Sequence, residues 1–334
     1  MTDTVSLILT VQDLWLRRKE RLDNLYLKTP EVTRALELLT AFRENGYRGP
    51  DGTANCFLVS GPTNAGKSRL FTSYCERGDA QPHGDELPVV RLRMPTPFTN
   101  RSFLGELLTA LLTRDFATSH DIGQMQRRAI AMLLARKTQL IMMDDTQHVI
   151  DKKGGNSPYW AADMFKTLIL DGAKVPIAFN GLPITEEIFS RNTQLLSRRR
   201  GLVRLAPDVW YESQVGRDHF RTAVAWFEKA ADFPKKAQVG AAKLTLDSEQ
   251  VAERIWRATN GLRGNLHNLF SQATELGTKR GAESLTFDLL AEAHAILSDA
   301  GPGWKNVFTV SVLPPLVTLD DSRVTKLHKG RKAA

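Results

Sequence analysis

Cys56-Phe57-Leu58-Val59-Ser60, then Gly61-Pro62-Thr63-Asn64-Ala65-Gly66-Lys67-Ser68, then Arg69-Leu70-Phe71-Thr72-Ser73-Tyr74, is the stretch that decides the fold. Its first five residues are an apolar run suited to a buried strand, and its last six can continue as a helix. Between them every fixed position of G-x-x-x-x-G-K-S is filled, and strand, glycine loop and helix are the setting this motif requires. Glycines let backbone N–H groups close around phosphates, and the helix N-terminus adds a favourable dipole. Gly61, Pro62, Thr63, Asn64, Ala65, Gly66, Lys67 and Ser68 are therefore expected to cradle the phosphates of a nucleotide. In that cradle Lys67 reaches the β- and γ-phosphates, and the Ser68 hydroxyl ligates Mg²⁺.

Outward from the loop, strands alternate with helices. Residues 87–94 read as a second strand, ended by Pro95 and Pro97, and 139–145 as a third. A fourth covers 175–180, and helices are expected at 103–113, 122–136 and 158–172. Such alternation implies a parallel sheet with right-handed crossovers, hence an α/β fold. The third strand delivers Asp144 and Asp145 to the carboxyl edge of the sheet, beside the phosphate loop. Asp144 is expected to hold Mg²⁺ through water, and Asp145 to activate the attacking water. Aspartate is one methylene shorter than the glutamate common at that place. A misplacement of about 1 Å can cost on the order of 100-fold in rate, so hydrolysis is expected to be slow. Asn180, ending the fourth strand, is placed to hydrogen-bond the γ-phosphate or its water. Arg198, Arg199 and Arg200 precede a short strand at 202–205. One of the three can be an arginine finger, often supplied to a neighbouring subunit. Arg263, in Gly261-Leu262-Arg263-Gly264-Asn265-Leu266, offers a further guanidinium for a nucleotide phosphate.

Composition sets the bounds. The 334 residues suffice for one large domain or two of ordinary size, and 42% hydrophobic with 25% charged residues is a soluble globular balance. No run of about 18 apolar residues suggests a membrane span, and residues 1–6 lack a secretory signal pattern. Only two cysteines are present, and Cys56 falls on a core strand. A reducing cytoplasm is the expected compartment. The net charge of +8 permits nucleic-acid binding. Residues 301–334 carry six basic residues (Lys305, Arg323, Lys326, Lys329, Arg331, Lys332) against Asp320 and Asp321, half of that excess. The expected organisation is an N-terminal helical segment at 1–48, an α/β core at 49–210, a helical lid at 211–300 and a basic tail at 301–334. Leu14, Leu16, Leu22, Leu25 and Leu27, then Leu36, Leu38, Leu39 and Phe42, are the expected apolar faces of the first segment. Thr29-Pro30 marks its second helix start. Phe220, Val224, Trp226 and Phe227 are spaced for one helix face.

Phosphate loop, Asp-Asp strand, Asn-ended strand, arginine turn and helical lid, in this order, resemble an AAA+ ATPase of the initiator type. More narrowly, the chain resembles the TniB/TnsC regulators of DNA transposition. The matching residues are the phosphate loop, Arg93-Met94-Pro95-Thr96-Pro97, Asp144-Asp145-Thr146-Gln147-His148 and Leu27-Lys28-Thr29-Pro30. The likeness spans roughly residues 25 to 295. It implies ATP and Mg²⁺ as ligands, and homo-oligomers, rings or filaments, on double-stranded DNA. It also implies presentation of that DNA to a transposase, with ATP hydrolysis dispersing the assembly. A target-selection protein or a guide-RNA complex is a further implied partner. Backbone contacts from pore loops would grip DNA in a salt-dependent, weakly sequence-selective way. The candidates for this are Arg101, Ser119, Lys152 and Lys153. The alternative is a motor or loader ATPase, helicase-loader-like or secretion-linked, acting on a protein partner.

Overall fold

The computed structural model of the chain describes residues 2–46, 52, 54–112, 121–149, 158–190, 192–298 and 304–313. Five strands, β1 (Cys56–Ser60), β2 (Val89–Arg93), β3 (Leu140–Asp144), β4 (Ile177–Gly181) and β5 (Arg199–Arg204), form one sheet in the order β2-β3-β4-β1-β5. Every pairing is parallel. The period of two decides what covers the sheet. In β1, Cys56 and Leu58 enter one core while Phe57 and Val59 enter another. In β3, Ile141 and Met143 oppose Leu140 and Met142, and in β4 Ile177 and Phe179 oppose Ala178. Strands buried on both faces need helices on both faces.

Those helices follow. On one face α2 (Pro30–Glu44) contributes Ala35, Leu39 and Phe42, and α3 (Lys67–Cys75) contributes Leu70, Phe71 and Tyr74. On the other lie α4 (Asn100–Leu112), α5 (Ile122–Ala135), α6 (Pro158–Phe165), α7 (Glu186–Ser190) and α8 (Thr193–Ser197). The helix expected at 158–172 is α-helical only through α6. It then widens into a π-helical stretch, Lys166–Ala173, and ends at Lys174 in the left-handed region. Strand β5 begins at Arg199, earlier than expected, because Arg199 already pairs with Cys56.

The third core belongs to the lid. It gathers α9 (Gln214–Ala231), α10 (Glu249–Thr259), α11 (Arg263–Lys279) and α12 (Phe287–Leu297). Helix α1 (Thr2–Asn24) joins them through buried Leu22 and packs on α9 and α11. Its Arg18 is buried, stacks 4.0 Å from the Phe233 ring, and donates to Thr278 Oγ1 at 2.9 Å and the Asp232 carbonyl at 3.0 Å. The two helices of the expected 1–48 segment therefore serve different bodies, α1 the lid and α2 the sheet. Thr29 caps α2 as expected, its hydroxyl accepting from Val32 N–H at 3.4 Å. Leu14, Leu16, Leu38 and Trp226, expected on buried faces, are exposed. Within the expected tail, residues 304–313 return to the lid. Phe308 is buried there, and the Arg254 guanidinium donates to the Val310 carbonyl at 2.8 Å.

Candidate nucleotide-binding site

The carboxyl ends of β1, β3 and β4 converge where β1 turns into α3. Gly66 caps α3 with φ +91°, a left-handed conformation that costs glycine nothing and that lets the helix start directly beneath the loop. The first N–H groups of a helix have no intrahelical acceptor, so α3 presents them to whatever the loop holds. Lys67 folds over the loop, its ammonium donating to the Pro62 carbonyl at 2.8 Å. Burial lowers the Lys67 pKa, with Asp144 and Asp145 pulling the other way. An ammonium stripped of part of its hydration and held by one carbonyl is ready to exchange that partner for phosphate oxygens.

Asp144 is the hub. Its Oδ1 accepts from Ser68 Oγ at 3.0 Å, from Asn180 Nδ2 at 2.6 Å and from Asp145 N–H at 3.0 Å, while Oδ2 accepts from Arg91 Nη2 at 2.8 Å. The expected pair of Mg²⁺ residues, Ser68 and Asp144, is thus brought together. One hydroxyl and one carboxylate oxygen are the hard donors this ion takes, so they fit it. When bound there, the ion would neutralise charge on the β- and γ-phosphates. Arg91 also donates to Thr72 Oγ1 at 2.6 Å and to the Ser68 carbonyl at 3.2 Å, splinting Asp144 against α3.

Asp145 sits just past β3 with φ +56°. Its Oδ1 accepts from Gln147 Nε2 at 3.1 Å and its Oδ2 from Arg93 Nε at 2.6 Å. Burial pushes its pKa up, but the hydrogen bonds from Gln147 and Arg93 outweigh burial and hold it below the ordinary value. The group is therefore an ionised base at neutral pH. Asn180, buried and expected at the γ-phosphate or its attacking water, donates its amide N–H₂ to Asp144.

The lid closes the loop from above. Gly264, at the start of α11, donates its N–H to the Asn64 carbonyl at 2.8 Å, and Asn64 Nδ2 donates to Asn265 Oδ1 at 2.8 Å. A Cβ on Gly264 would stand 2.8 Å from that carbonyl oxygen, so only glycine permits the approach. Beside this contact a cavity of about 350 Å³ opens between the α1–α2 linker, the phosphate loop and the lid. Tyr26, Leu27, Val32, Phe227 and His267 help line it, with Ala65 and Gly66 at its floor. Its mixture of apolar walls and few polar groups suits a nucleoside's base and sugar. Arg263 reaches this cavity too, but its guanidinium is held bidentate by Asp208, at 2.7 and 3.1 Å. The sequence assigns no role to Tyr26 or Arg91, and Leu27 and Gln147 stand in the stretches Leu27–Pro30 and Asp144–His148 without a role of their own. The sequence signal of Arg91 is its i, i+2 spacing from Arg93, which puts both on one face of a strand.

The three arginines lie elsewhere. Parallel register sets Arg199 beside Cys56, at the amino end of β1, whereas the loop leaves its carboxyl end. Four residues of strand, about 13 Å, separate the two edges. Arg198 is tied to Asp171 at 2.5 Å, Arg199 lies 5.8 Å over the Phe189 ring, and Arg200 is exposed. Arg101 is exposed near the start of α4; Ser119, Lys152 and Lys153 lie outside the described residues.

A phosphate loop beside an acidic strand end, on this sheet and beneath this helical lid, defines an ATPase of the AAA+ class. The chain belongs to the bacterial TniB protein family, associated with DNA transposition, whose model matches residues 23–204. Among solved structures it is similar to Cdc6p from Pyrobaculum aerophilum, at 13% identity and a TM-score of 0.56 over 82% of this chain and 69% of that one. The Aeropyrum pernix ORC2 protein, solved as ADPNP–ADP complexes, gives 13% and 0.56 over 84% and 72%. The Aeropyrum pernix ORC1 protein in complex with DNA gives 16% and 0.56 over 80% and 64%. At such identities the likeness is one of fold. Comparison with curated protein sequences finds no match.

Proposed function

We propose that this chain is an ATP-dependent regulator of transposition that assembles on duplex DNA and recruits or activates a transposase. The observation that carries the reading is a TniB-family sequence folded around a complete nucleotide site. In that site Lys67 and the loop hold the phosphates of ATP, and Ser68 and Asp144 hold Mg²⁺. Asp145 takes the proton of the attacking water as its oxygen bonds the γ-phosphorus. The bond to the β-phosphate oxygen breaks, and ADP leaves with the electron pair.

The far-edge arginines support assembly. From the amino edge of the sheet they serve a neighbouring subunit's nucleotide rather than their own, and Arg200 is the exposed one. The net +8 of the chain and its likeness in fold to ORC1, solved in complex with DNA, support a polyanionic partner. Arg101 is the described candidate for its backbone; Ser119, Lys152 and Lys153 are the others. A target-selection protein or guide-RNA complex would choose the site.

Mixing variants tests the arginine assignment. Arg200→Ala protein and Lys67→Ala protein should each lose DNA-stimulated hydrolysis. Mixed, they should regain part of it, because an intact phosphate loop meets an intact arginine across the interface. No recovery, together with a weaker ATP affinity of the Arg200→Ala monomer, would place the arginine in cis and contradict the assembly.

A further inference from the structure

We propose that Gln147 is the positioning residue for Asp145, fixing the carboxylate that activates water and fastening it to the end of the neighbouring strand. The inference rests on Asp145 being the hydrolytic base. Gln147 belongs to a short 3₁₀ turn, Thr146–Val149, separated from β3 by Asp145 alone. Its side chain crosses from the end of β3 to the end of β4. On the β4 side its Oε1 accepts from the Leu182 N–H at 3.3 Å. On the β3 side its Nε2 donates to Asp145 Oδ1 at 3.1 Å.

The orientation of that amide is not arbitrary. A backbone N–H can only donate, so the atom facing Leu182 is the oxygen. The N–H₂ is thereby turned to Asp145, where only a donor suits an ionised carboxylate. One contact dictates the other. Gly181 makes room for the crossing: a Cβ there would lie 3.2 Å from Gln147 Oε1 and 2.1 Å from Thr185 Oγ1.

Asp145 has a second partner, but of a different kind. The Arg93 side chain is 77% exposed, so its pull is screened and its long chain is free to find other anions. Gln147 is half-buried and held at both ends. Of the two it is the one that can set the carboxylate's orientation. The need is greater for aspartate than for glutamate, since a shorter arm has fewer ways to reach the water. The link also joins both carboxylates to one strand end: Asn180 of β4 binds Asp144, and Leu182 just beyond β4 binds Gln147.

The test is a double-mutant cycle on the full chain with ATP, Mg²⁺ and duplex DNA, using Gln147→Met, Asp145→Asn and the pair. Methionine keeps the length and removes both hydrogen bonds. A hydrogen bond to a charged group, lost from the transition state, corresponds to a kcat about 10- to 100-fold lower. That loss is expected with KM for ATP unchanged, and the pair should be no slower than Asp145→Asn alone. Gln147→Glu, which keeps the Leu182 acceptor but sets a carboxylate against Asp145, should show the same loss. It serves as the second variant should methionine impair folding. Parental kcat in both Gln147 variants while Asp145→Asn is inactive would overturn this inference alone, as would an equal further loss on the Asp145→Asn background. Parental kcat in Asp145→Asn would overturn the reading of Asp145 as the base, and this inference with it.

Discussion

At the scale of the residue, the site is a set of donors arranged around two adjacent carboxylates. Ser68, Asn180, Arg91 and a backbone N–H meet Asp144, while Gln147 and Arg93 meet Asp145. Lys67 is the one residue of the constellation whose present partner, a loop carbonyl, is an ordinary acceptor that phosphate oxygens can replace. Lys67→Ala should therefore abolish ATP binding in calorimetric titration while circular dichroism stays parental; retained affinity would contradict the loop assignment. Asp144→Ala should be worse for stability than for shape. It leaves the buried Asn180 amide without its acceptor, at about 1–3 kcal/mol for the orphaned donor, visible as a lowered denaturation midpoint, while Arg91 keeps Thr72 and the Ser68 carbonyl. Lys67, Ser68, Asp144 and Asp145 were legible in the sequence because motif spacing is local. Arg91 was not, and Gln147 stood in the Asp144–His148 stretch without a role of its own. Their roles depend on which strand lies beside which, and the register of β2 on β3 is a tertiary fact.

At the scale of the element, the lid is coupled to the loop by the first turn of α11. Gly264→Ala should push that turn off Asn64 and weaken ATP binding several-fold, with the lid's own helices intact. Unchanged affinity would mean that the loop does not need the clamp. Helix α9 offers a pH-dependent check on the lid. Burial raises the Glu228 pKa above the ordinary 4.5, even though its Oε1 accepts from the Ala237 N–H at 2.7 Å. A carboxyl with a raised folded-state pKa contributes most below its unfolded value and loses that contribution as pH rises through the folded value. Glu228→Gln keeps the acceptor without the charge. It should raise the thermal midpoint at pH 7, and the gain should vanish as pH falls towards 4.5; a gain independent of pH would contradict the burial argument. Strand existence and order of appearance were legible from apolar runs and turn residues. The partner of α1 was not, since an amphipathic helix reads the same whether it packs on a sheet or on a lid. Trp226 shows the converse: helical spacing put it with Phe220, Val224 and Phe227, but a stripe of four is wider than the face that α9 buries.

At the scale of the whole molecule, the nucleotide site and the arginines stand at opposite edges of one parallel sheet. The exposed Arg200 lies at the edge away from the phosphate loop, and on the proposed assembly it would serve a neighbour's nucleotide. Hydrolysis should then depend on protein concentration and on DNA, and it should be slow with Asp145 in place of glutamate. Binding to duplex DNA should weaken steeply with salt, as phosphate contacts release counterions. Arg101→Ala should lower that salt slope by about one if it meets a phosphate; an unchanged slope would remove Arg101 from the DNA surface. The fold was legible as a whole because strand–helix alternation admits few topologies. The assembly is not written in any one stretch of sequence, since it depends on two surfaces meeting. Electron microscopy of the purified protein with duplex DNA, in ATP, in ADP and without nucleotide, tests the central claim most directly. Ordered rings or filaments with ATP and DNA together, and not otherwise, are predicted; no DNA-dependent assembly in any nucleotide state would contradict it.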